Sequence, residues 1–403
     1  MLSRIKKLGP GLLFAGAAIG VSHLVQSTRA GADFGFGLIW ALLLVHLFKY
    51  PFFQFAPRYA NATGESILEG YYKLGKGVLV AYLVLTFATM FTIQTAVTIV
   101  TAGIASTIFG NVLSTEIWCV IILFICLAIL ILGRYKLLDS LMKFIIVTLT
   151  TSTLFAVVIA FNDTSQIITF KQVLPQNDLE IAFLIAFMGW MPAPLDISVW
   201  HSLWSIEKNK SVKIKTKSAL FDFNIGYLST IVLGIGFVSL GALVMHNSGE
   251  NFSNSASEFS SQLINMYTTS LGNWAYIFIG IAAFTTMFST TLTTLDASPR
   301  AMHKTTQLLF KRNFSMGYLF WIVLLTLGTI SIFFFFISEM GVLIKTATIL
   351  SFITAPFYAI INYKLICSRY TPKKWRPDTN LHILSWLGIL FLIGFSLWYL
   401  TIL

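Results

Sequence analysis

Residues 9–37, GPGLLFAGAAIGVSHLVQSTRAGADFGFG, form an apolar run long enough to cross a bilayer, yet small and polar residues interrupt its middle. A helix that breaks inside hydrocarbon leaves backbone N–H and C=O groups without partners. A break such as GAAIGVSH (16–23) therefore survives only where it lines a cavity or a binding site. A second interruption, MGWMPAPLD at 188–196, falls in another apolar run.

Around these two runs the whole 403-residue chain reads as membrane-spanning. It is 56% hydrophobic and only 11% charged, against roughly 25% charged in soluble domains. Apolar runs of about twenty residues, enough to cross ~30 Å of hydrocarbon, lie near 11–31, 36–56, 79–108, 115–133, 138–161 and 180–205. Five more lie near 218–245, 272–296, 315–337, 340–363 and 380–402. The expected fold class is an all-α polytopic membrane protein, residues 1–403 forming one transmembrane transporter domain. Run 79–108 is long enough to tilt or to project beyond the bilayer.

The broken spans, one and six, are five apart. An odd number of helices per repeat inverts the second repeat, so the pattern predicts a 5+5 inverted repeat with a broken first helix in each half. Residues 11–161 form the first five-helix repeat, 180–363 the second, and 380–402 an additional eleventh helix. Ordinary Pro/Gly kinks in packed helices are the structural alternative.

The net charge of +11 is distributed as a topology signal. Arg4, Lys6 and Lys7 precede span one. Alternate loops carry Arg58, Lys73 and Lys76, then Arg134 and Lys136, then Lys208 to Lys217, and further on Arg300 to Arg312 and Lys364 to Arg376. The opposite loops hold Lys171 at 162–179 and no basic residue at 246–271, a Ser/Asn-rich hydrophilic segment. The positive-inside rule puts the N-terminus in the cytoplasm and the C-terminus outside a cell inner (plasma) membrane. The basic character is thus no nucleic-acid patch. Cys119, Cys126 and Cys367 read as packing residues rather than a disulfide framework. The charged and apolar start resembles a signal peptide, but it continues as a full span and ten more follow.

Gly9-Pro10-Gly11-Leu12-Leu13, then Ala30-Gly31-Ala32, Phe34-Gly35-Phe36 and Leu38-Ile39-Trp40, without a gap, carry a specific resemblance. They resemble the first helix of the Nramp (SLC11) divalent-metal transporters, which runs G-P-G-L-L, D-P-G-N, then Q-A-G-A-x-[FY]-G-[FY]-x-L-[LI]-W. The resemblance implies the LeuT-like fold of the amino acid–polyamine–organocation superfamily.

It fails at the centre. The family's D-P-G-N falls on Gly20-Val21-Ser22-His23, so the metal-binding carboxylate is a glycine and the amide a histidine. In span six the family shows M-P-H before a His-Ser pair. Anchoring on His201-Ser202 puts Pro194-Leu195-Asp196 there and loses the thioether; anchoring on Met191-Pro192 keeps it but needs three inserted residues. We favour the ungapped register, in which none of the family's transition-metal ligands is retained.

A dehydrated Mn²⁺ or Fe²⁺ needs carboxylate, imidazole or thioether donors, and burying a divalent charge without an anionic partner is costly. The remodelled break suits an anion instead. Half-helix N-termini beginning near Ser22 and after Pro194 aim amides and positive dipole ends at the cavity, and Gly20 permits close backbone approach. The expected substrate-binding residues are Gly20, Val21, Ser22 and His23 with Ala193, Pro194 and Asp196. A clade of Nramp-related proteins that carries bicarbonate lacks the metal motif in this way, and the sequence resembles that type.

An anion entering a negative-inside cell needs a driving ion. Span eight is rich in hydroxyls, FTTMFSTTLTTLD at 284–296. In LeuT-like transporters a Na⁺ site joins such hydroxyls to span-one carbonyls. That resemblance assigns Ser289, Thr290 and Thr293 with carbonyls near Ala17 and Gly20. Close packing and helix back-bonding are the structural alternative, and proton coupling through His23 or Asp196 stays open.

Of the other intramembrane polar groups, Lys49 and Asp222 read as gate or snorkelling residues and Lys345 as snorkelling. His46 and His201 read as structural, and Arg29 as a cation at the external mouth. The expected function is an Nramp-like secondary transporter of bicarbonate or a similar small anion, with no cofactor and no obligatory protein partner, and with Na⁺ as coupling ion. A divalent-metal transporter with an unusual site, H⁺-coupled and taking Mn²⁺, Fe²⁺ or Mg²⁺, is the alternative. A transport-dead sensor is disfavoured because no signalling domain is evident. No nucleophile–base pair or nucleotide loop points to an enzyme.

Overall fold

The computed structural model describes residues 9–110, 112–132, 135–163, 168–211, 214–246, 252–312, 314–335 and 339–401; of 135–146, 163, 211, 270 and 271 it describes the backbone alone. Arg4, Lys6, Lys7, Arg134 and Lys213, which carry part of the orientation argument, lie outside the described residues. The described chain is helical, with no strand.

Span one comprises Pro10–Ala18 and, after a 48° bend, Ser22–Phe34, whose first turns (Ser22–Ser27) are π-helical. Spans two to five are Ile39–Thr63, Lys76–Phe109, Thr115–Ile131 and Tyr135–Asp163. Span six is split into Asp178–Trp190 and Ile197–Ser211. Spans seven to eleven are Thr216–Leu240 with a π-helical end Gly241–Met245, Ala275–Phe310, Gly317–Phe335, Met340–Cys367 and Thr379–Leu400. Seven of these pass as membrane spans unbroken and span one passes as a bent pair; the other three are short, split or partly described.

The outer surface explains why. Val80, Val84 and Phe87 of span three are exposed, as are Phe320, Val323 and Leu327 of span nine and Ile383, Trp386 and Leu390 of span eleven. Apolar residues at i, i+3, i+4 and i+7 that face outward need lipid as their solvent.

The interior is held by close backbone approach. A Cβ at Gly226 of span seven would lie 2.1 Å from Gly11 O, and one at Gly241 would lie 2.2 Å from Thr28 O. Span seven therefore lies along both halves of span one through glycines, as small residues allow in membranes. Asp222 is no snorkelling group. Its carboxylate accepts the N–H of Gly11 at 2.8 Å and that of Gly9 at 3.2 Å, satisfying amides at the start of span one that have no earlier turn.

Two connectors are helical where the sequence reads as loop. After Gly64, at φ +77°, Ser66 and Glu69 form a capping box that starts Ile67–Leu74. The hydrophilic 246–271 segment contains Ala256–Leu271, which buries Ala256, Phe259, Leu263, Ile264 and Tyr267 on one face. Its other face is polar, so no apolar run announced it. Span eight also outruns its apolar stretch. Its 36 residues span about 54 Å, and the charged end ties back through Asp296–Arg300 at 2.6 Å and Lys304–Glu69 at 2.8 Å.

Candidate transport site

In span one the regular bonding stops at Ala18. Gly20 N–H turns back to Ala18 O at 3.0 Å, and Gly20 O then accepts from His23 N–H at 3.1 Å and Leu24 N–H at 2.9 Å. Gly20 thus caps the second half, whose first-turn amides at Val21 and Ser22 have no preceding turn. In span six Met191 is extended, and the second half restarts with Ile197 N–H on Pro194 O at 3.2 Å, followed by Val199 N–H on Asp196 O at 2.8 Å. The breaks meet at Ser22, whose hydroxyl lies 3.3 Å from Pro192 O and 2.8 Å from Ala18 O.

Between them is a cavity of about 30 Å³, lined by Ala17, Gly20, Val21 and Ser22 from span one and by Pro194 and Ile197 from span six. Thr290 and Thr294 close it from span eight; Ile93, Val97, Trp190 and Trp200 are among its apolar walls. A space needs ~10–15 Å³ on this measure to hold one water, so the cavity fits a small ion. No carboxylate lines it, and no group of three His, Cys, Asp or Glu side chains suited to a metal ion occurs among the described residues.

The remaining expected residues are placed elsewhere. His23 Nε2 lies 3.0 Å from Thr230 O, and its Nδ1 lies 2.8 Å from Ser22 Oγ. A carbonyl only accepts, so Nε2 carries a proton and the ring joins spans one and seven instead of facing the cavity. Asp196 is buried, its Oδ1 without a partner, within electrostatic reach of Tyr71, Tyr82 and Tyr358. It and Ala193 are not in the cavity wall.

Span eight resolves into two kinds of hydroxyl. Thr286 and Thr294 bond the carbonyl four residues back at 2.7 and 2.8 Å. Thr290 does so at 3.1 Å and also reaches Gly16 O of span one at 3.3 Å. The span-one carbonyl that meets span eight is thus Gly16's, one residue before Ala17. Thr293 Oγ1 is buried without a partner, and Ser289 is buried on the same helix.

Two residues escape sequence reading. Trp200 lines the cavity, and its Nε1 is buried without an acceptor. Lys49 does not snorkel; it is fully buried, with Nζ on the carbonyls of Met188, Gly189 and Met191. Arg29 and Lys345 share a cleft of about 250 Å³ with Gln26 and Asn254.

Two discontinuous helices meeting over a small cavity are the build of a secondary transporter. The sequence matches the family model Nramp, natural resistance-associated macrophage protein-like, over residues 11–401. An uncharacterized protein of Pasteurella multocida (strain Pm70) is 35% identical over 406 residues, covering 99% of this chain and 93% of that one. Crystal structures of the Eremococcus coleocola manganese transporter share the fold at 13% identity, each covering 96% of this chain and 85% of theirs. The TM-score is 0.74 for a point mutant and 0.72 for the complex with an aromatic bis-isothiourea substituted compound. The chain belongs to the Nramp family and is a multi-pass membrane transporter.

Proposed function

We propose that this Nramp-family protein carries a small inorganic anion, bicarbonate or one of similar size, by alternating access coupled to Na⁺. The observation that carries the reading is the chemistry of the cavity wall. The cavity is lined by Trp200, whose indole N–H is buried without an acceptor, and by Val21 and Ser22, which open the second half of span one, and no carboxylate is among its lining residues. A buried donor without a partner is an open acceptor position. Positive half-helix ends and a glycine at 20 favour a compact oxyanion there. Arg29 and Lys345 in the outer cleft draw anions toward it.

For the coupling ion, Thr290 already joins span eight to a span-one carbonyl, and Thr293 adds an unpartnered oxygen close by in sequence. Hydroxyl and carbonyl oxygens suit a hard cation. In this reading the N-terminus faces the cytoplasm and the C-terminus the outside.

A divalent-metal reading is favoured by one observation, the free Oδ1 of Asp196 beside the same break, and by the manganese named for the Eremococcus coleocola protein. Calorimetric titration of the purified transporter with Mn²⁺ separates the two. The anion reading expects no saturable heat; saturation at micromolar Mn²⁺ overturns it.

A further inference from the structure

Lys49 lies in the middle of span two with its side chain wholly buried, and among the described residues no carboxylate pairs with it. Its Nζ lies 2.9 Å from Met188 O, 2.7 Å from Gly189 O and 2.9 Å from Met191 O. Carbonyl oxygens only accept, so three of them around one nitrogen require three N–H donors. An ammonium has three, a neutral amine two. The geometry therefore assigns Lys49 its proton and its charge.

These carbonyls are the C-terminal end of the first half of span six, where the helix dipole is negative and the last C=O groups have no following turn. They form an oxygen cage of the kind that binds a bare cation at a broken helix. Here the cage holds an ammonium carried on span two. Trp190, between two of the cage residues in sequence, lines the transport cavity, so the segment that holds the ammonium also supplies a cavity wall residue. A buried, unpaired lysine that merely packed would be replaced at a gain by an apolar residue of its size.

We propose that Lys49 is the resident cation of the transport site and its selectivity residue. It fills the carbonyl cage that a cargo cation would otherwise occupy, and it gives the neighbouring cavity the positive charge that admits an anion. The second half of the statement rests on the anion reading; the first does not.

The test uses the full-length transporter with Lys49→Met, which keeps the bulk, and Lys49→Ala, which opens space for n-propylammonium, the severed end of the side chain. Thermal unfolding is the first readout. Lys49→Ala melts lower than wild type and recovers saturably with propylammonium, whereas tetramethylammonium and propanol, which cannot donate three N–H groups, have no effect. Bicarbonate flux in proteoliposomes is the second. Lys49→Met and Lys49→Ala slow at least tenfold, and propylammonium restores the alanine variant alone. Equal rescue by propanol overturns the resident cation, and wild-type flux in Lys49→Met overturns the selectivity role. A wild type that moves no bicarbonate refutes the anion reading, and the propylammonium melt then decides the cage by itself.

Discussion

Gly20 lies against Thr290 so closely that a Cβ on the glycine would stand 2.9 Å from Thr290 Cγ2 and 3.0 Å from its Oγ1. The position that bears the metal carboxylate in the resembling family is here both a wall of the cavity and the contact between spans one and eight. Gly20→Ala should lower transport severalfold by pushing Thr290 away, and Thr290→Ser, which removes Cγ2, should restore part of the rate. Gly20→Asp adds charge as well. A like charge ~4 Å from an anion costs roughly 4 kcal/mol at an effective dielectric of 20, about a thousandfold in affinity. Transport should be lost with or without Thr290→Ser, while surface expression persists. Bicarbonate flux through Gly20→Asp at the wild-type rate would place the substrate elsewhere.

The coupling ion is tested at the two hydroxyls that differ from their neighbours. Thr290→Val removes the bond to Gly16 O, and Thr293→Val removes an oxygen without a partner. Each should raise the Na⁺ concentration that half-saturates uptake, while Thr286→Val, whose hydroxyl only back-bonds Ala282, should not. Concentrative uptake that persists when choline replaces Na⁺ would assign these hydroxyls to packing.

Glycine contacts predict stability. With Gly11 O 2.1 Å from a Cβ at 226, Gly226→Ala must separate spans one and seven. Overpacking of this kind costs about 1–3 kcal/mol. Thermal unfolding should shift down by several degrees, and Gly77→Ala, where a Cβ meets nothing within 4 Å, should leave it unchanged.

A pH-dependent contribution lies at the basic end, outside the membrane. Burial would raise the Glu69 carboxyl, but hydrogen bonds from Lys304 and Ser66 outweigh it and hold the group below its ordinary 4.5. A carboxyl depressed in the folded state stabilises above its unfolded value, and that stabilisation is lost as pH falls through the folded one. The melting difference between wild type and Glu69→Gln should be full at neutral pH. It should shrink on acidification below 4.5. A difference unaffected by acid would show that the Lys304 pair does not support the fold.

The two breaks were legible because glycine, proline and polar residues inside apolar runs need no coordinates to stand out, and their five-helix spacing carried the fold with them. Side-chain direction was not legible. His23 follows Ser22 in the break, yet the π-helical turn carries its ring to Thr230 O. Lys49 reads like any snorkelling lysine of a membrane span until the carbonyls of a segment some 140 residues away close around it. Nothing in the sequence sets Trp200 apart from the other aromatic residues of the apolar spans. The helix Ala256–Leu271 escaped because half its surface is polar, which hydropathy averages away.

The anion assignment for the remodelled break is decided by side-by-side flux through one proteoliposome preparation. Internal pH reports bicarbonate entry and a trapped metal-sensitive dye reports Mn²⁺, both under an inward Na⁺ gradient. The assignment requires saturable alkalinisation that depends on bicarbonate and Na⁺, with Mn²⁺ entry no faster than in empty liposomes. Saturable Mn²⁺ entry without any bicarbonate-dependent pH change would contradict it.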